Sequence, residues 1–214
     1  MSPANWSGTP KGLYSGLEDH GAELVPINVK FPPVLREAVA LGGRWSRHRG
    51  AVADRSVLLR EFRNRILAAN LRRAGRLDAV LAMGTEMYDL HSVVPRGLRT
   101  FTYDDATLAQ MWEHRYSDLR QSGFPPDHVH AWIGYQRESS RRADRCFVST
   151  SWAAESFEHD YGVDRRRIKV VGIGHRQRAG ASVQRDWKQP RFLFVGLDWD
   201  RKNGAAVVES FRRI

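Results

Sequence analysis

Residues Ala143 to Gly174 constrain this chain more than any other stretch, because they spell out a strand, a helix and a second strand in one pass. Cys146-Phe147-Val148 is a short apolar run with charge before it and hydroxyls after it, the pattern of a strand buried on both faces. Ser149, Thr150 and Ser151 offer N-cap oxygens to a helix whose Ala153, Phe157 and Tyr161 recur every fourth residue. Gly162 supplies the left-handed stop, Asp164 and three arginines turn the chain, and Ile168 to Val171 resumes as a strand. Strand, crossover helix and strand wind right-handed into a parallel sheet. The second strand runs into Gly172, Gly174 and His175. In open sheets of this kind ligands gather at the carboxyl ends of strands, where glycine lets a backbone come close.

A length of 214 residues leaves room for one good core, or for one domain and part of another. No apolar run approaches 18 residues, so no membrane-spanning helix is expected. Met1 to Pro10 lacks a basic-then-apolar leader, which points to the cytoplasm. Cys146 is the only cysteine; it excludes an internal disulfide framework and a Cys-based metal site, and reads as a small buried hydrophobe. The net charge of +10 favours anions: nucleic acid, acidic lipid headgroups or phosphorylated small molecules. The arginines are spread over helices and turns and form no recognised nucleic-acid motif, so no nucleic-acid partner is expected.

Elsewhere, Asn5 to Pro10 is a turn-rich loop feeding a helix from Lys11 to His20, stopped at Gly21. A glycine loop at a helix N-terminus can hold a phosphate or simply cap the helix. Glu23 to Val29 predicts a strand, and Val52 to Ala74 a long helix with Leu59, Phe62, Ile66 and Ala69 turned inward. Asp78 to Met83 predicts a buried strand ending at Gly84-Thr85-Glu86, and Thr100 to Tyr103 another ending at Asp104-Asp105. Adjacent side chains on a strand diverge, so Asp104 and Asp105 are no acid/base dyad. One is expected to face a cleft and the other to cap a helix from Ala106 to Leu119. A further helix is predicted from His128 to Arg142, whose His128 and His130 diverge, so no metal site is expected there. Arg176 to Pro190 reads as a polar linker. Arg191 to Gly196 reads as a new buried strand, or as an addition to the main sheet, ahead of a charged loop and a last helix.

The run ADRCFVSTSWAAES (143–156), then Tyr161 to Asp164 and Ile168 to Gly174, resembles the end of the N-terminal domain of retaining GT-B glycosyltransferases of family four. WSGTPKGL (6–13), FLFVGLDWDRKNG (192–204) and Tyr103 to Thr107 extend that resemblance over nearly the whole chain. It implies an α/β fold with a Rossmann-like parallel sheet and helices on both faces over residues 1–175, then a linker over 176–190. Residues 191–214 would be the first strand-helix unit of a truncated donor-binding domain. Only four residues precede Asn5, so the family's opening strand is expected to be missing, and little transfer is expected from this chain alone.

The implied activity is transfer of a sugar from a nucleotide-diphosphate donor, with retention and with neither metal nor cofactor. The acceptor would be a sugar or a lipid-linked molecule, in polysaccharide biosynthesis in the cytoplasm, with peripheral contact to the inner face of an anionic membrane as an option. By resemblance, Ser7, Gly8 and Thr9 with Arg201 and Lys202 would hold the donor diphosphate, the two cations stabilising charge as it leaves. Lys202 matches the family lysine, whereas Leu197 stands where the family arginine follows the glycine, with Arg201 as its substitute. Thr85 and Glu86, marked by their place at a strand's carboxyl end, would contact the acceptor or cap the turn, and similar sequences place Tyr103 and Asp104 beside the acceptor, with Asp104 the candidate catalytic group. From another class, the charge also suits a non-catalytic basic module that docks on anionic membrane or a polyanion. A dinucleotide-dependent enzyme is disfavoured, since no GxGxxG follows a strand.

Overall fold

The computed structural model describes residues 9–32, 34, 37, 57–121, 123–173, 188, 193–195, 199–200 and 202–213. Helix α1 (Thr9–Asp19) is followed by α2 (Val57–Ala74), β1 (Ala79–Ala82), a 3₁₀ turn (Thr85–Met87) and α3 (Leu90–Val93). Then come β2 (Arg99–Asp104), α4 (Leu108–Glu113), α5 (Asp118–Gln121), α6 (Pro126–Arg142) and β3 (Arg145–Val148). Helix α7 (Ser151–His159), a second 3₁₀ turn (Arg165–Arg167), β4 (Ile168–Val170) and α8 (Gly204–Arg212) complete the described elements. Among them, no helix is long and apolar enough to cross a membrane.

The four strands form one all-parallel sheet in the order β1-β2-β3-β4, the architecture of Rossmann-like α/β domains. Ala82 pairs with Thr102, Thr102 with Cys146, and Cys146 with Ile168. Because each new strand is added on the same side of the last, right-handed crossovers carry α3, α4 to α6, and α7 over one face. Burial agrees: on that face Thr102, Cys146 and Val148 are wholly buried, as is Asp104. On the other face Tyr103 is buried, but Phe101 and Phe147, tilted to each other 5.7 Å apart, are only half-buried, and Arg99, Arg145 and Lys169 are exposed. Helices were expected on both faces; among the described residues, those packed on the sheet cover the first.

The main core lies between that face and α4, α6 and α7, with Cys146, Val148, Val129, Ala153, Phe157, Tyr161 and Ile168 at its centre. The sequence dictates α7 closely. Thr150 Oγ1 accepts from the Ala153 amide at 3.1 Å, Ala153 and Phe157 point inward, and Gly162 takes the expected left-handed φ of 65°. A second cluster joins Leu67 and Leu71 of α2 to Ala82, Tyr88 and Leu90, with Ile27 and Val29 against it.

Several expectations are corrected. Residues 22–32 carry no strand pairing, although Ile27, Val29 and Phe31 alternate inward as strand residues would. The segment instead lies along α2, where Asn70 donates to the Asn28 carbonyl at 2.8 Å and the Arg63 guanidinium sits 4.3 Å over the Phe31 ring. That contact rotates α2: Arg63, Asn64, Leu67 and Leu71 are its buried face, and Phe62 is 37% exposed. The predicted helix from Ala106 to Leu119 is two short helices, broken where the Ser117 hydroxyl donates to the Met111 carbonyl and accepts from the Arg120 amide. The cap of α4 is Thr107, not Asp105, in a reciprocal capping box with Gln110. Residues 193–195 are in no strand and do not join the sheet, and Leu193 and Val195 stand 87% and 80% exposed. A strand needs a partner for its backbone groups, and none of the described elements supplies one there.

Candidate functional site

The carboxyl ends of β1 and β2 bring together the acidic residues singled out in the sequence. Since Ala82 pairs with Thr102, the chain leaving β1 turns at Gly84, in the left-handed region at φ 66°, close to the level of Asp104. A side chain at Gly84 would also run into Met87 Cε at 2.6 Å, so both conformation and space call for glycine. The turn folds Thr85 and Glu86 inward, where they are 0% and 5% exposed, and packs them beside α6.

Asp104, 2% exposed, ends β2 beneath these residues. Its Oδ1 accepts from Gln136 Nε2 at 3.2 Å, while its Oδ2 has no partner, like Thr85 Oγ1. Burial, reinforced by the nearby Glu86 carboxylate, pushes the Asp104 carboxyl up to about 8, and the Gln136 hydrogen bond offsets only part of that rise. Asp104 is therefore mostly protonated at neutral pH, a donor as well as an acceptor.

Gln136 is the hub that the sequence reading missed. Its Oε1 accepts from the Leu108 amide at 2.7 Å and from the Tyr161 hydroxyl, while its Nε2 serves Asp104. One side chain thus ties β2, α4, α6 and the end of α7 together. Its signal was a polar residue lying in the inward stripe Val129, Trp132, Ile133, Gln136, Ser139 and Ser140 of α6. Thr107 continues the network, its Oγ1 lying 2.6 Å from Ser156 Oγ, which in turn donates to Asp160. Burial also raises the Tyr161 and Tyr88 hydroxyls, and Tyr88 donates to the Met83 carbonyl at 2.7 Å.

The other candidates fall elsewhere. Tyr103 points to the opposite face from Asp104, where its hydroxyl donates to the Gly172 carbonyl at 3.1 Å and fastens the end of β4. It does not join the acidic pair. Thr9 is the first residue of α1 and half-buried, and Lys202 is exposed in the turn before α8. Ser7, Gly8 and Arg201 lie outside the described residues, as do Gly174, His175 and nearly all of the linker. Among the described residues, no group of three or more His, Cys, Asp or Glu side chains could hold a metal ion.

No family model, curated protein or solved structure matches this chain.

Proposed function

We propose that this chain is the acceptor-side, Rossmann-like part of a retaining glycosyltransferase that uses a nucleotide-diphosphate sugar. The observation that carries the reading is the buried carboxyl pair Glu86 and Asp104, set at the carboxyl ends of adjacent parallel strands, where such sheets bind ligands. A buried acid with one oxygen unpartnered is costly to keep for stability alone, and costs of this kind collect at functional sites.

In the proposed reaction the bond from the sugar anomeric carbon to the diphosphate oxygen breaks and a bond to the acceptor oxygen forms on the same face. The acceptor proton leaves with the diphosphate, whose charge Lys202 helps to neutralise. Burial turns the role of Asp104 from contact with the acceptor to positioning. Held protonated, it fixes Gln136 below; Thr85 and Glu86 are as buried as Asp104, so the part of the turn that meets the sugar in this proposal is its more open end at Met87.

A thermal-shift panel of UDP-, GDP- and ADP-sugars and simple glycosides, with NAD as the control, tests the proposal. At least one sugar ligand is expected to raise the melting temperature while NAD does not. A chain that shifts with none of them, yet co-sediments with anionic vesicles and not neutral ones, would be a membrane-docking basic module instead.

A further inference from the structure

Helices α4 and α7 line an open cleft of about 420 Å³. We infer that this cleft binds an organic cation, an alkylammonium or guanidinium group, against the face of Trp152 and between the carboxylates of Glu113, Glu155 and Asp160. The inference does not rest on the glycosyltransferase reading.

Charge is the first reason. The chain has 34 lysines and arginines against 24 acids, yet among the described residues no lysine or arginine lines this cleft and three carboxylates do. Glu158, one turn further round α7, pairs with Arg165 at 3.5 Å. Glu113 and Glu155 have no ion pair among the described residues, so their charge is left facing the cleft.

The wall is the second reason. Trp152 is 54% exposed, an uncommon setting for the largest side chain, and an indole face is the best aromatic partner for a cation. The floor is polar and fixed: Gln110 and Ser156 are 8% and 5% exposed, and Gln110 Nε2 donates to the Trp152 carbonyl at 2.8 Å. With Thr107 bonded to Ser156, the two helices are clamped and the cleft is formed in advance of any ligand.

Size and geometry decide which cation. The volume falls in the range of small-molecule sites, roughly 300–1,000 Å³, and is far larger than a bare metal ion occupies. His114 and His159 also line the cleft, but with the acids they form no group able to hold a metal. An amine-bearing small molecule and a lysine side chain of a peptide share the same chemistry, so both are probes.

Isothermal titration of the full chain with putrescine, arginine methyl ester and a short lysine peptide, with butanol as the uncharged control, tests the inference at 0.15 M salt. At least one cationic probe is expected to bind, with butanol silent. Whichever of the small amines or the peptide binds more tightly identifies the source. The double variant Glu113→Gln/Glu155→Gln is expected to weaken binding on the order of tenfold, and Trp152→Leu by a few-fold, with unchanged melting temperatures. Absence of heat with every cationic probe at millimolar concentration overturns the inference. So does binding that both variants leave intact.

Discussion

Replacing Asp104 by asparagine gives the most informative perturbation, because its effect changes with pH in a way that only a buried acid produces. The carboxyl rises from an ordinary 3.8 to about 8 on folding, chiefly through burial. Below pH 3.8 the group is protonated in folded and unfolded chains alike and adds no pH dependence. Between the two values the unfolded chain releases a proton that the folded chain keeps, so stability falls as pH rises, by about 1.4 kcal/mol per unit. By pH 7 the loss is about 4 kcal/mol, and above pH 8 it levels off near 6 kcal/mol. Asparagine keeps the shape and the acceptor that Gln136 Nε2 uses, but cannot ionise.

The assay is urea unfolding of both proteins at half-unit steps from pH 4 to pH 9. Titrating groups that do not interact with Asp104 cancel in the difference. At pH 4 the two are expected to agree within about 1 kcal/mol, the scale of one altered hydrogen bond, and by pH 8 the variant is expected to be several kcal/mol more stable. A difference that does not change with pH, or a variant less stable at pH 8, refutes the reasoning that Asp104 is held protonated by its surroundings.

Phe157→Ala empties the centre of the main core, where Phe157 is 0% exposed and 5.5 Å from Tyr161, and is expected to cost about 3–5 kcal/mol, lowering the melting temperature by roughly 10 °C. Gly162→Ala meets nothing within 4 Å but must hold φ 65°, so calorimetry is expected to show a loss of about 1–2 kcal/mol from backbone strain alone. Thr107→Ala removes both the cap of α4 and the hydroxyl facing Ser156, with an expected loss of about 1–2 kcal/mol in urea unfolding, whereas Thr107→Ser retains most of the stability.

The strands between Ala79 and Val170 and the helix after Thr150 were legible because short apolar runs, a hydroxyl cap and a glycine stop all point one way. The acidic pair was half legible: strand-end position marked Thr85, Glu86 and Asp104, while Gln136, which joins them to the helices, belongs to an element read only for its apolar stripe. Local pattern also failed where a distant residue decides the outcome. Ile27 and Val29 have a strand's alternation, but Asn70 and Arg63 hold their segment against a helix. The same arginine fixes which side of α2 faces inward, against the stripe of Leu59, Phe62 and Ile66.

Backbone ¹H–¹⁵N NMR of the chain, titrated with the sugar ligand that raises its melting temperature most, tests the central proposal directly. Shifts are expected to concentrate at Gly84 to Met87 and at Asp104 and Asp105, leaving Glu113, Trp152 and Glu155 unmoved. Shifts gathered elsewhere, or none at saturating ligand, would contradict a sugar-binding site at these strand ends.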